Sequence, residues 1–359
     1  MFTLEQSAGR TALINDKEYL FFSGYSYLGM SYVPEFIELV KQGMDKYGVL
    51  HPSSRISNTQ LGIFEEMEAF LSQLTFQQET VIYSSGFLAG RAIVEILANR
   101  KANCFVAPVT HPAIQIPAKQ LKEDWQQHFI ELTEKSNSAE IVLLADSVNP
   151  LTATINDFLF LKNISAEKKI TCVIDDSHGI GLLGEKGEGI SALLPKLPNI
   201  EYVITYSLSK AFHINGGAIS CSKEFANSLR QSPFYTASTS ASPSLCYAFI
   251  NGQNLYNNQR KKLKQNIKAF QELVSQRQHI SFHPKLPIFI LPEELDQDYF
   301  TPHNIIISSF SYPNPSGKKT NRIVLNALHT KEDLETIASV AVREPKSLPS
   351  SELHPSSCT

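Results

Sequence analysis

The chain has 359 residues, enough for one large and one small domain around a substantial core. A net charge of −3, with 19% charged residues, carries no signature of a nucleic-acid or polyanion partner. No apolar run approaches the ~20 residues of a transmembrane helix, and residues 1–10 lack a signal pattern, so no membrane partner and a cytoplasmic location are expected.

The five cysteines (104, 172, 221, 246 and 358) show no Cys-x-x-Cys spacing, which predicts buried reduced thiols and no metal site. In chain order, Glu18–Phe22 is strand-like and leads into Gly24-Tyr-Ser-Tyr-Leu-Gly29. Pro34–Tyr47 predicts a helix, with Pro in its first turn and Phe36, Leu39, Val40 and Met44 at helical spacing. Phe64–Leu74 predicts a second helix. Val81-Ile-Tyr-Ser-Ser-Gly-Phe87 reads as a strand and a Ser-Gly turn, opening an apolar helix through Leu97. Such a turn suits a phosphate, because backbone N–H groups and the helix dipole face it, although any βα turn gives the pattern. Cys104–Ala107 and Ile141–Asp146 are short strands, the second buried.

The apolar run Cys172–Ile174 ends in Asp175, with His178 three residues on, then Gly179, Gly181 and Gly184. Tyr202–Tyr206 is another strand and leads into Ser207, Ser209 and Lys210. Gly216–Ser220 is a return strand. Residues 244–278 read as one long polar helix, with a Lys/Arg run at 260–264 on a solvated face. Short strands and Pro turns follow from His279, and residues 344–359, rich in Pro and Ser, read as a disordered tail. The expected organisation is an N-terminal segment (1–45), a large cofactor-binding domain (46–245), a small C-terminal domain (246–343) and the tail.

Ligands bind at the C-terminal edge of strands in open α/β sheets. That edge would here gather a carboxylate, an imidazole, two hydroxyls and an amine. Pyridoxal phosphate needs this set: Lys for the Schiff base, Asp for the pyridinium nitrogen, hydroxyls for the phosphate. Singly, the Asp reads as a helix cap and Ser-x-Ser-Lys as a surface loop; their order and spacing favour a site.

Asp175-Asp-Ser-His-Gly-x-Gly-x-x-Gly184, followed by Ser207-Leu-Ser-Lys-Ala-Phe212, resembles the α-oxoamine synthases. These are fold-type-I pyridoxal-phosphate enzymes that condense an amino acid with an acyl thioester and release CO2. The resemblance runs from about Tyr19 to Val340. It implies an α/β fold with a mostly parallel central sheet flanked by helices and a smaller α+β C-terminal domain. It implies that Asp175 faces the pyridine nitrogen, Lys210 carries the cofactor and removes the α-proton, and His178 bonds the phenolic oxygen. His111 would cover the ring, with Ser85, Gly86, Phe87 and Ser207 on the phosphate side. Thr239 would reach the phosphate of a neighbouring subunit, implying a homodimer. Arg322 would grip the amino-acid carboxylate, with Arg55 also on the substrate side.

The chain departs from the family pattern at several positions. Tyr25 and Ser26 stand where the family has Asn, and Leu50, Pro52 and Ser53 replace glycines in the loop before Arg55, which predicts a stiffer loop. Pro150 replaces a serine that touches the phenolic oxygen, with Ser147 and Asn149 the polar residues nearby. Thr320 replaces a first arginine, and a helix before Gly24 is expected to be missing. Three alternatives remain: glycine-using condensation, an aminotransferase of the same fold, and a cofactor-binding homologue without synthase activity. The His-Gly after Asp175 fits the synthases better than the aminotransferases.

Overall fold

The computed structural model describes residues 2–276, 279–312 and 314–341; most of the small expected C-terminal domain is included, and the expected tail, 344–359, lies outside the described residues. A seven-stranded sheet runs in the order Glu79–Tyr83, Gly217–Cys221, Ile200–Ser207, Ile170–Asp175, Ile141–Asp146, Asn103–Val106, Lys119–Gln120. Only Gly217–Cys221 runs antiparallel to its neighbours. Ile170–Asp175 is buried along its whole length and rich in β-branched residues, as a central parallel strand covered on both faces must be. Its register sets Asp175 beside Asp146 on one side and Thr205 on the other. The carboxylates and the following hydroxyls therefore emerge at one edge of the sheet.

The second sheet has six strands and draws on both ends of the chain. Thr11–Ile14 and Lys17–Phe22 pair with each other, and Lys17–Phe22 lies parallel to Ile305–Ser311. Lys319–Val324, Ile288–Leu291 and Ser281–Phe282 complete it. The expected N-terminal segment thus shares a sheet with the C-terminal part. Two polar contacts pin that union: Arg10 forks onto Asp333 at 2.6 and 2.7 Å, and His329 bonds the Phe21 carbonyl at 3.0 Å while stacking on Phe22.

His329 also accepts from the Asn326 N–H at Nδ1, so its single proton lies on Nε2. Burial pushes this histidine down to about 4, although the Phe21 carbonyl and Asp333 favour its charged form. The unfolded chain, with an ordinary histidine, binds the proton first. Stability should therefore be full above pH ~6.5 and fall as the pH drops toward 4, by up to about 3 kcal/mol from this residue. Urea midpoints measured from pH 7 to 4.5 should show a loss that flattens in His329→Gln.

Two expectations need correction in the helical layer. The predicted helix over 244–278 is two helices, Pro243–Asn251 and Gln253–Val274, separated at Gly252. The first is not polar surface: it packs on Pro34–Tyr47, where a Cβ on Gly43 would fall 2.6 Å from the Ser244 carbonyl. Arg260, expected on a solvated face, is buried instead. Its Nε donates to the Gly181 carbonyl at 2.8 Å and holds the glycine-rich loop after His178. Among the described residues no helix is long and apolar enough to cross a membrane.

Candidate active site

A cavity of about 720 Å³ opens where the ends of the large-sheet strands meet the small sheet. Lys210, Asp175, His178, His111, Ser85, Gly86, Phe87, Ser207 and Arg322 all line it. A larger open groove, about 1160 Å³, lies at the start of Ile200–Ser207 and carries none of these groups.

One wall is an anion cradle. Ser85 caps the helix Gly86–Ala98, its hydroxyl accepting from the Leu88 N–H at 3.2 Å. The turn lies so close to the next strands that a Cβ on Gly86 would fall 2.7 Å from Ser207 Cβ. A Cβ on Gly217 would fall 2.4 Å from the Ser85 carbonyl, so both positions require glycine. The Ser207 hydroxyl lies 2.8 Å from that of Ser209, and the Ser207 N–H donates to Ser177 Oγ at 2.9 Å. Hydroxyls and a helix N-terminus thus converge, which suits a phosphate.

The opposite end carries the charges. Lys210 is pushed down by burial, against Asp175, Asp146 and Asp176, which favour its ammonium form. Asp175 Oδ1 accepts from the Ser177 N–H at 2.9 Å, and Oδ2 lies 3.7 Å from His111 Nδ1. Asp146, one strand over, is pushed well above the carboxylate range by burial and by Asp175 beside it. Burial lowers His111 as well. His111 Nδ1 accepts from the Ala113 N–H at 3.2 Å, so Nε2 donates to the Tyr312 hydroxyl at 2.8 Å. The two rings stack.

Arg322 reaches the cavity from Lys319–Val324 in the small sheet. One Nη donates to the Pro150 carbonyl at 3.1 Å, and the guanidinium lies 5.4 Å over the Phe310 ring. Its Nε is buried without a partner among the described residues, an orphaned donor.

Two expected site residues do not line the cavity. Thr239 is exposed on the loop before Pro243–Asn251. Arg55, expected on the substrate side, lies in the core: it pairs with Glu68 at 3.2 Å between the rings of Phe64 and Tyr235. Glu68 also accepts from the Ile82 N–H at 3.1 Å, and burial pushes its carboxyl up even beside the arginine. Arg55→Met should orphan that carboxyl and destabilise the protein by about 3–5 kcal/mol. The urea midpoint checks this; an unchanged midpoint would return Arg55 to a role outside the core.

The family departures acquire physical content. Tyr25 lines the cavity, whereas Ser26 turns away and bonds His213 Nδ1 at 2.5 Å. Pro150 lines the cavity, but neither Ser147 nor Asn149 does: Ser147 donates to Asp176 at 2.5 Å, and Asn149 caps the Leu151 N–H at 2.9 Å. Sequence reasoning missed Asp146, Ser177, Phe310 and Tyr312 as lining residues. Their one local signal was position: the first two end or follow strands, and Tyr312 opens the stretch that carries Arg322.

Comparisons with known proteins bear on the fold and the family. The family described as aminotransferase class I and II matches residues 53–340. The 8-amino-7-oxononanoate synthase of Petrotoga mobilis is 26% identical over 367 residues, 96% of this chain and 93% of that protein. A putative 8-amino-7-oxononanoate synthase of Methanocaldococcus jannaschii is 27% identical over 339 residues, 90% of each. Among solved structures, serine palmitoyltransferase of Sphingomonas wittichii superposes with a TM-score of 0.81 at 18% identity, over 94% of this chain and 90% of that one. The 8-amino-7-oxononanoate synthase of Francisella tularensis gives 0.70 at 23% identity, over 90% and 96%. These last two likenesses carry the fold. The chain belongs to the aminotransferase class I and II family and, within it, to the pyridoxal-phosphate-dependent α-oxoamine synthases. The family binds pyridoxal 5'-phosphate, and the cradle, the buried amine and the strand-end carboxylate here fit that group.

Proposed function

We propose that this α-oxoamine synthase joins L-alanine to a pimeloyl thioester, on coenzyme A or a carrier protein, with loss of CO2, as in biotin synthesis. The product would be 8-amino-7-oxononanoate. The observation that carries the condensation is one cavity that gathers Lys210, Asp175, His178 and Arg322. The choice of alanine and pimeloyl rests on the relatives named above. Glycine condensation, as in a 2-amino-3-ketobutyrate ligase, is the second reading. Incubating the cofactor-loaded protein with alanine, glycine or serine, each with several acyl thioesters, tests both by mass spectrometry of the aminoketone. No aminoketone from any pair would return the chain to a cofactor-binding homologue.

In this reading pyridoxal phosphate, when bound, supplies the electron sink for charge left at the substrate α-carbon. The Ser85–Gly86 turn and Ser207 would hold its phosphate, with Phe87 beside them, and His111 would cover the ring. Asp175 would pair with the pyridine nitrogen and His178 with the phenolic oxygen. Lys210 Nζ accepts the substrate α-proton, a task suited to an amine whose burial lowers its affinity for protons. Tyr25, Phe87, Val109, Phe310 and Tyr312 give the mouth an apolar rim for the acyl chain.

Arg322 grips the amino-acid carboxylate through a charge-assisted fork, worth on the order of 2–5 kcal/mol for a buried pair. Arg322→Ala should raise the apparent constant for the amino acid ~10-fold or more, with the absorbance of the resting cofactor unchanged. Unchanged amino-acid affinity would remove Arg322 from this role.

The assembly is read as a homodimer with Thr239 completing the partner's phosphate site. Support comes from the loop at Val49, Leu50 and Ile56, whose side chains are 59, 56 and 62% exposed. Ser242 Oγ donates to the Val49 carbonyl at 2.7 Å and Ser54 Oγ to that of Thr236 at 2.6 Å, so this apolar loop and the Thr239 loop form one surface. Sedimentation should give a dimer; a fully active monomer would rule it out.

A further inference from the structure

Tyr27 is buried in the same motif that presents Tyr25 to the cavity, and its hydroxyl oxygen lies 2.7 Å from His178 Nδ1. Its backbone is pinned from the far end of the chain: the Ala327 N–H donates to the Tyr27 carbonyl at 2.9 Å. Gln259 does the same for the Leu28 carbonyl, also at 2.9 Å. The phenol is therefore held at the imidazole by rigid elements on either side.

The hydrogen bond can run in two directions. If His178 donated, the phenol proton would be left buried with no acceptor, because among the described residues the Tyr27 hydroxyl bonds to His178 alone. Native interiors avoid that arrangement. If Tyr27 donates, both groups are satisfied. Burial keeps the phenol protonated and holds His178 well below the histidine range, with Lys210, Arg322 and His111 pushing the ring the same way. A neutral imidazole that accepts at Nδ1 carries its one proton on Nε2. Nε2 has no protein partner among the described residues, and the ring lines the cavity.

We propose that Tyr27 is a positioning residue that fixes His178 as the Nε2–H tautomer, so that this histidine offers the cavity a hydrogen-bond donor and not an acceptor. The group it meets must then be a hydrogen-bond acceptor, such as an oxygen. Naming that acceptor as the cofactor's phenolate rests on the function proposed above; the tautomer does not.

The test uses protein freed of cofactor, with 15N-labelled histidine, and long-range proton–nitrogen spectra near neutral pH. The His178 signals are assigned by their loss in His178→Asn. Wild type should show His178 protonated at Nε2 alone. In Tyr27→Phe, which removes only the hydroxyl, the two tautomers should mix. Added pyridoxal phosphate should bind that variant ~3- to 10-fold more weakly. A wild-type proton on Nδ1 would overturn the assignment even if Tyr27→Phe failed to fold. An unchanged tautomer in a folded Tyr27→Phe would overturn it equally. Since the spectra need neither cofactor nor substrate, failure of the condensation assay leaves this result standing, and the reverse also holds.

Discussion

Lys210→Ala is expected to abolish condensation, with a loss on the order of 10⁴-fold or more. The amine has two tasks in the proposed mechanism, holding the cofactor and taking the α-proton, and general-base catalysis alone is commonly worth about 10²–10⁴. No neighbour can substitute. The cations lining the cavity among the described residues are Lys210 and Arg322, and Arg322 is held by the Pro150 carbonyl and the Phe310 ring. Burial also sets Lys210 apart from the surface lysines, since it lowers the amine's hold on its proton and makes the free base available. Wild-type protein loaded with pyridoxal phosphate should be yellow, and borohydride reduction followed by peptide mapping should fix the cofactor on Lys210. A label on any other lysine would end the assignment.

Asp175→Asn should retain the fold and much of the cofactor binding, yet lose about 10²–10³ in α-proton removal. The substitution is isosteric, and the amide oxygen can still accept from the Ser177 N–H. What disappears is the fixed negative charge opposite the pyridine nitrogen, and with it the electrostatic support for charge developing at the substrate carbon. The nearest carboxyls are Asp146, Asp175's register partner on the adjacent strand, and Asp176, which is tied to Ser147 and the Ile190 N–H. Asp146 is engaged by the His111 backbone N–H at 2.9 Å and stands on the neighbouring strand, not at the position of Asp175. Exchange of the alanine α-proton for deuterium, followed by NMR without acyl donor, reads this step directly. Near-normal exchange would contradict the role.

What could be read from residue order was whatever is encoded within a few neighbours. Apolar β-branched runs made the strands at Ile141–Asp146 and Ile170–Asp175 legible, and their polar terminal residues pointed to the sheet edge. Helix Pro34–Tyr47 was legible from spacing and its leading proline. The break at Gly252 was not, because the apolar face of Pro243–Asn251 is defined by the helix it packs on.

Charged side chains were the least legible, for the same reason. A sequence cannot tell an arginine in water from one paired in the core: Arg55 finds Glu68 thirteen residues on, with two aromatic rings around it, and Arg260 finds a carbonyl 79 residues away. The active-site pairs span further still, with Tyr27 and His178 separated by 151 positions and Tyr312 and His111 by 201. By itself the sequence determined which groups stand at strand ends, since strand period and turn chemistry act locally. Only the tertiary structure decided which proton each of those groups holds and which of them share a cavity. Burial and hydrogen-bond partners set both, and they come from segments that the chain brings together only on folding.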